Sequence, residues 1–360
     1  MLYSNIDCKF ISVLTRPLET KLLTGRRVFC ALMSEQNAEQ RAEAVGVHRI
    51  EFSVDWPPGH VAAYLVDCAE PILFDAGMAG ESAHDELVAA LAEHDYEVAD
   101  IEHLVVTHPH VDHIGQVPAI VEAADPEVYA PEGVGERFER DVDDLAETVE
   151  RNATAAGLRG EYLEDAIEMS VESLERDGSL LDPDYVDHWV DGGTDVDIGP
   201  ISFETTHTPG HQADHLVFLA AFDGERRLFA GDTALGTFRP VAMHTGFDDG
   251  FDDAIDAYYT ALDRLGELTV DRVYPGHGPV HTEFQEAIAD DVESLDHLLE
   301  RTEAMLDDDD KTAVDVAFER NGDRDIRYLV IETTSALAKL DRDGRADSTL
   351  TDGVRHFTRA

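Results

Sequence analysis

The sequence predicts an α/β protein, and two patterns predict it. Five short strand-like runs each stop at a side chain able to bind a metal: Pro71–Phe74 before Asp75, Leu104–Val106 before His108, the Phe203 run before His211, Arg227–Gly231 before Asp232 and Arg272–Pro275 before His277. Around them lie stretches whose apolar residues recur at helical spacing, such as Leu145, Val149 and Leu158, or Ile288, Val292, Leu295 and Leu299. Strands that end together can bring such side chains to one point.

The elements follow in chain order. Residues 1–32 carry a net charge of +3 and two of the three cysteines, Cys8 and Cys30. Arg26-Arg27 suggests a twin-arginine signal, but only Val28 to Met33 is apolar after it, which is too short for a signal core. The segment is expected to be a disordered extension, or an artefact of a start at Met33. N-terminal sequencing of native protein beginning near Met1 would exclude the artefact.

Residues 107–116 read Thr-His-Pro-His-Val-Asp-His-Ile-Gly-Gln. Four ligand types, His108, His110, Asp112 and His113, crowd into six positions directly after a buried-looking strand. Imidazole suits zinc and iron, and a carboxylate adds a harder ligand with negative charge. A solvated His/Asp loop is the plain alternative, and Asp75, His211, Asp232 and His277 in the other four runs argue against it.

In this order and spacing the five segments resemble the metallo-β-lactamase superfamily, over about residues 48–300. The resemblance implies a four-layer αββα sandwich with a dinuclear metal site at one edge. It implies that His108, His110 and His211 hold one metal, that Asp112, His113 and His277 hold the second, and that Asp232 bridges both. Two such ions about 3.5–4 Å apart share a hydroxide, lower the pKa of its parent water to about 7 and polarise a substrate carbonyl or phosphoryl oxygen. No Gly-x-Ser-x-Gly elbow is present and Cys8, Cys30 and Cys68 lie in no ligand motif, so a side-chain nucleophile is the weaker hypothesis. Zinc is the first choice of metal, with iron and manganese open.

Asp112 is a candidate catalytic group as well as a ligand, and two further residues are candidates beside the ligands. Asp75 orients a ligand or water from behind it, or caps its own Asp-x-Gly turn. His215, four residues past His211, touches substrate or leaving group, or is a satisfied structural histidine. His60, His244 and His281 are near in sequence pattern only and are not chosen.

Asp232 stands where many antibiotic-hydrolysing members carry cysteine. The run from Asp232 through Asp252–Leu265 to Pro275-Gly-His-Gly-Pro279 is similar to the lactamase-B2-like hydrolases of the glyoxalase II-like branch. The insertion at about residues 135–185 is expected to be helical, either a lid over the metals or a pair packed at the periphery. Helical spacing continues over 284–306. A break at Asp307–Asp310 then leads to a helix at Thr312–Arg320, an apolar stretch at Ile326–Ile331, a helix at Thr333–Leu340, and a hairpin across Asp352-Gly353. Residues 311–360 thus resemble a small winged-helix-like domain. That ending counts against hydroxyacylglutathione hydrolase itself, whose tail is helical.

The chain has 27 basic and 77 acidic residues, for a net charge of −50, and only four lysines. With 43% hydrophobic residues this is a packed protein, and the acidity reads as adaptation to molar salt, which screens self-repulsion. Residues 33–310 carry −53, whereas 311–360 are neutral with seven arginines. Those arginines either face nucleic acid or pair with carboxylates of the sandwich or of a second copy in a homodimer; the pairing is preferred, because phosphate binding weakens with salt and the acidic body repels a polyanion. No run approaches a membrane span, and three scattered cysteines fit a reducing compartment, so a cytoplasmic protein is expected. Three function classes stand in order: a hydrolase of small-molecule thioesters, esters or lactones; an endoribonuclease or other phosphodiesterase acting on single-stranded RNA; and a nucleic-acid-binding module with a structural metal.

Overall fold

The computed structural model describes residues 46–222, 224–321 and 327–360. The expectations for residues 1–32 and for a start at Met33 lie outside them. Strands β1 (Val47–Ser53), β2 (His60–Val66) and β3 (Ile72–Phe74) lead to helix α1 (Glu81–Ala92), β4 (His103–Val105), α2 (Val111–Ile114), α3 (Val117–Ala124) and β5 (Glu127–Pro131). Then come α4 (Glu132–Phe138), α5 (Val142–Ala156), α6 (Glu161–Leu180), β6 (His188–Val190), β7 (Asp195–Ile198), β8 (Ile201–His207), β9 (Leu216–Phe222) and β10 (Glu225–Gly231). Helix α7 (Ala254–Gly266), β11 (Arg272–Pro275), α8 (Phe284–Ala304), α9 (Ala313–Asn321), α10 (Arg327–Arg342), β12 (Ala346–Thr351) and β13 (Val354–Arg359) follow.

The strands form two large sheets, in the orders β1-β2-β3-β4-β5-β6 and β11-β10-β9-β8-β7, and a separate β12-β13 hairpin. Strands β3 to β6 run parallel, as do β10 and β11, and the other pairs are antiparallel. Three apolar clusters explain the layering. One, built on Phe74, Phe203, Phe218, Phe229 and Tyr274, fills the space between the sheets. A second joins the first sheet to α1 and α3, and a third joins the second sheet to α5–α10. Sheets buried on both faces need apolar residues at successive positions, as in Ile72–Phe74 and Leu104–Val106. The result is the expected αββα sandwich.

Local chemistry sets the helices that matter for the site. Asp141 caps α5 by accepting from the Asp143 and Asp144 N–H groups at 2.9 and 3.1 Å, and Gly157 ends it in the left-handed region. Leu145, Val149, Ala153 and Ala156 form its buried stripe. The apolar stretch and the helix at 333–340 expected as separate elements are, over the described residues, one helix, α10. Val330, Thr333, Thr334, Leu337 and Leu340 are all buried, so one face of 3.6-residue period continues through the threonines. The tail is fastened by ion pairs: Arg342 to Asp256 at 2.6 Å, Lys339 to Asp256 at 3.3 Å, and Arg345 to Glu303.

At one edge the sheets are tied together by Ala62 N–H to Gly276 O and Tyr64 Oη–H to Pro275 O, each at 2.7 Å. Behind that edge Phe229 stacks on Phe74 with ring centroids 3.9 Å apart and on Tyr274 at 5.1 Å. Phe229→Ala removes the middle of this stack and is expected to cost about 3–5 kcal/mol, read as a lowered denaturant midpoint with unchanged slope. A loss below about 1 kcal/mol would mean that the inter-sheet stack is not what fixes the sandwich.

Candidate metal centre

The candidate ligands meet because their strands end side by side. Strands β3 and β4 are parallel neighbours, so Asp75 and His108 emerge from the same end, with Asp75 N–H bonded to Val105 O at 2.7 Å. Strands β10 and β11 are likewise parallel and deliver Asp232 and His277, with Gly231 opposite Pro275. Two glycines are required for closeness. A Cβ on Gly276 would lie 2.6 Å from both Asp232 Oδ1 and His113 Cε1, and one on Gly231 would lie 2.6 Å from His215 Nε2 and Thr107 Oγ1. Gly231 also has φ 46°, which favours glycine.

Two donor groups result. His108, His110, His211 and Asp232 each offer an atom within 4.8 Å of the others, and so do Asp112, His113 and His277. Asp232 lies between the groups: its carboxylate is 3.2 Å from His211 Nε2, 3.3 Å from His113 Nε2 and 3.4 Å from His277 Nε2. Asp112 is 3.4 Å from His277 Nε2. Within the first group His110 Nδ1 is 3.0 Å from His108 Nε2 and 3.1 Å from His211 Nε2.

The outward nitrogens decide what faces inward. His113 Nδ1 donates to Asp75 Oδ2 at 2.8 Å, His211 Nδ1 to Val241 O at 2.8 Å, and His277 Nδ1 to His60 O at 2.7 Å. Thr107 Oγ1 gives its proton to Asp75 Oδ2 at 2.9 Å and so accepts from His108 Nδ1 at 3.1 Å. Four imidazoles therefore turn a lone pair on Nε2 toward the centre, the tautomer a metal ligand needs. His113 Nε2 and Asp232 Oδ1 are buried without any hydrogen-bond partner. Lone pairs converging at such distances repel one another unless a cation lies among them, so the donor set fits divalent metal ions.

Electrostatics agree. The ionic contacts of Asp112 and Asp232 are all to histidines. Against burial, which disfavours the charged form, the His277 and His113 charges hold the Asp232 carboxyl well below its ordinary range, and the His113 charge and the His277 contact pull Asp112 down to about 2. Burial alone would lower His113 and His277, yet the Asp232, Asp75 and Asp112 carboxylates raise His113 well above its usual value, and Asp232 with Asp112 raises His277 to about 10. The carboxylates thus make this centre favour positive charge, which divalent cations among the Nε2 lone pairs would supply. Burial pushes His108 and His110 well down, keeping them neutral.

Asp75 both shapes its turn and contacts a candidate ligand. Its φ of 59° makes the turn, and its carboxylate binds Thr107 N–H at 2.8 Å, Thr107 Oγ1 and His113. His215 is fully buried with both nitrogens used, Nδ1 on Thr208 Oγ1 at 2.7 Å and Nε2 accepting from Asp232 N–H at 2.9 Å. It props the Asp232 backbone and does not reach the cavity, so the substrate-contact alternative is not what the geometry gives. His60 holds the His277 loop, its Nε2 accepting from Gly278 N–H at 3.0 Å, while His281 Nε2 bonds Ala234 O at 2.8 Å.

Residues that motif reading passed over also matter. Glu332, buried on α10, accepts from Arg239 at 2.8 Å and from Ala242 N–H at 3.2 Å, and meets Arg320 at 3.5 Å. It thereby fixes the loop whose Val241 carbonyl orients His211. No sequence signal marks this, since Glu332 lies 93 residues from Arg239 in a charged tail. The centre opens into a cavity of about 2320 Å³ walled by α6, α8, α10 and the loop after Asp232. The insertion therefore forms a cavity wall.

Residues 56–277 match the Metallo-beta-lactamase superfamily. A Caenorhabditis elegans protein named beta-lactamase-like protein 2 homolog is 27% identical over 78% of this chain and 75% of its own length. The atrochrysone carboxyl ACP thioesterase of Aspergillus fumigatus is 26% identical over 62% of this chain and only 52% of its own. A solved structure of a metallo-beta-lactamase family protein from Thermus thermophilus shares the fold at a TM-score of 0.71 and 23% identity, covering 88% of this chain and 99% of that one.

Asp75→Asn keeps the shape but weakens the acceptor behind His113, and is expected to lower metal affinity about 10–100-fold in a chelator-competition titration. Unchanged affinity would make Asp75 a turn residue alone. Glu332→Ala strands Arg239 in the interior and is expected to cost about 3–5 kcal/mol in denaturant unfolding. A near-neutral result would uncouple α10 from the His211 loop.

Proposed function

The chain belongs to the metallo-beta-lactamase superfamily and is a metallo-hydrolase, and on that premise we propose that it hydrolyses a thioester, ester or lactone carbonyl of a small molecule. The observation that carries this is the pair of donor groups joined at Asp232, which face one cavity. His108, His110 and His211 would hold one cation, Asp112, His113 and His277 the other, and Asp232 would contact both; zinc is the proposed metal. When bound, the two cations supply an ionised water near neutral pH and a Lewis acid for the carbonyl oxygen.

The chain's own residues do the rest. Asp75 and the Val241 and His60 carbonyls hold the imidazoles in the required tautomer, and His215 fixes the Asp232 backbone. Asp112 lines the cavity, where its carboxylate is placed to orient a water. Helix α6 gives that cavity an apolar side through Ala166, Met169, Leu174 and Leu180, suited to an acyl group and to excluding water from it. The thioesterase name of the fungal relative supports the acyl reading, and the name of the nematode relative supports the lactamase-B2-like placement.

In the same reading residues 48–300 are the catalytic domain with a helical insertion at 135–185. Residues 311–360 form a winged-helix-like unit of α9, α10 and the hairpin, serving here to brace the site. The net charge of −50 supports work in molar salt, and the cytoplasm is the proposed compartment. Single-stranded RNA is the alternative substrate, disfavoured by the −53 on residues 33–310.

A panel of thioester, lactone and single-stranded RNA substrates in molar KCl, with metal content measured in parallel, tests the reading. Turnover of a thioester or lactone is expected, with His110→Ala at the uncatalysed background. Fewer than one metal per chain would sink the dinuclear part, cleavage of RNA alone would move the protein to the phosphodiesterases, and full activity in His110→Ala would remove the site assignment.

A further inference from the structure

Six arginines line the cavity: Arg137, Arg140, Arg176, Arg239, Arg301 and Arg320. With 77 acidic residues against 27 basic ones, an arginine in this chain finds a carboxylate easily. Four of the six do. Arg140 pairs with Asp248 at 2.9 Å and Arg176 with Asp177 at 2.7 Å, while Arg239 and Arg320 share Glu332. Arg301 pairs with nothing among the described residues, but it is exposed on α8.

Arg137 on α4 is different. It is half-buried, its Nε is shut away from solvent with no acceptor, and its guanidinium has no ion pair among the described residues. Asp177, which lies within its electrostatic reach, is already engaged by Arg176 Nε at 2.8 Å and Ser173 Oγ at 2.9 Å. The next residue, Phe138, lies against Gly178 of α6, so α4 packs beside that wall. Glu172, Asp290, Asp291 and Glu293 also line the cavity, so its lining is not uniformly cationic. Away from the metal centre, Arg137 is the half-buried cation of this lining that no carboxylate among the described residues already engages. A shielded cation without an acceptor is costly, and a planar fork of N–H groups matches a carboxylate or phosphate in two hydrogen bonds.

Resting on the acyl-hydrolase reading, we propose that Arg137 is a subsite for an anionic group of the substrate, a carboxylate or phosphate set away from the bond that is cut. The substrate is then an acyl compound with an apolar segment along α6 and an anionic end at α4. Arg137 determines specificity and takes no part in bond cleavage.

Kinetics of the metal-loaded enzyme on three thioesters test this: a methyl-ended acyl group on N-acetylcysteamine, a carboxyl-ended acyl group of equal length on the same carrier, and the methyl-ended group on coenzyme A. One anionic substrate is expected to exceed the neutral one in kcat/KM by about tenfold or more, the scale of a hydrogen bond to a charged group. A preference for the second places a carboxylate at Arg137, and a preference for the third a phosphate. Arg137→Met should erase the preference through KM while sparing the neutral substrate, and Arg137→Lys should restore part of it. Equal rates on all three, survival of the preference in Arg137→Met, or equal loss in Arg301→Met would overturn the subsite. Calorimetric titration with glutarate and with inorganic phosphate reads it without turnover: weaker binding in Arg137→Met supports it, and equal binding in both proteins overturns it. If no thioester is turned over, the thioester form of the acyl-hydrolase reading fails, and the titration still decides Arg137.

Discussion

A buried carboxylate has to be paired, and at the edge of this sandwich the Asp232 carboxylate is met, among the described residues, by imidazoles. His113, His211 and His277 approach it within 3.4 Å, each from a different segment of the chain. Much of the surrounding structure serves to make that approach affordable. Gly276 leaves out a side chain that would collide with Asp232 and His113, and Gly231 one that would collide with His215 and Thr107; His215 holds the Asp232 backbone, and three outward hydrogen bonds keep the imidazole lone pairs turned inward. Such a centre carries too much negative charge for its own imidazoles, and divalent cations are the partners that balance it.

The constraint propagates outward through successive contacts. Asp75 couples the end of β3 to that of β4 and to His113, so the first sheet is locked to the centre. On the second sheet the loop after β10 is held by Glu332 from α10, whose partners are Arg239 in that loop and Arg320 on α9. The C-terminal helices are therefore part of the scaffold of the site. Arg342, Lys339 and Arg345 fasten the same region to α7 and α8 through carboxylates, which uses positive charge that would otherwise face solvent.

Acidity and site organisation are separate matters in this protein. The carboxylate excess lies on the body of the sandwich, where water and salt solvate it, whereas arginines concentrate where helices meet over the cavity. Paired arginines there are structural. A half-buried arginine without an ion-pair partner among the described residues, as at position 137, has no such explanation.

The strand runs and the seven candidate ligands were legible in the sequence, because both are local: a strand is written in consecutive apolar residues, and a ligand at its end sits within a few positions of it; the sandwich was what the family resemblance of those runs implied. The continuity of α10 was not legible, since threonines inside a buried helical face look like a break until the facing helices are in place. Neither was the part played by His215, whose spacing from His211 is compatible with substrate contact and whose burial alone shows otherwise. Glu332 and Arg137 have no motif at all. Their meaning depends on which charges lie beside them in space, and burial, pairing and the lack of a partner are properties that only tertiary structure decides.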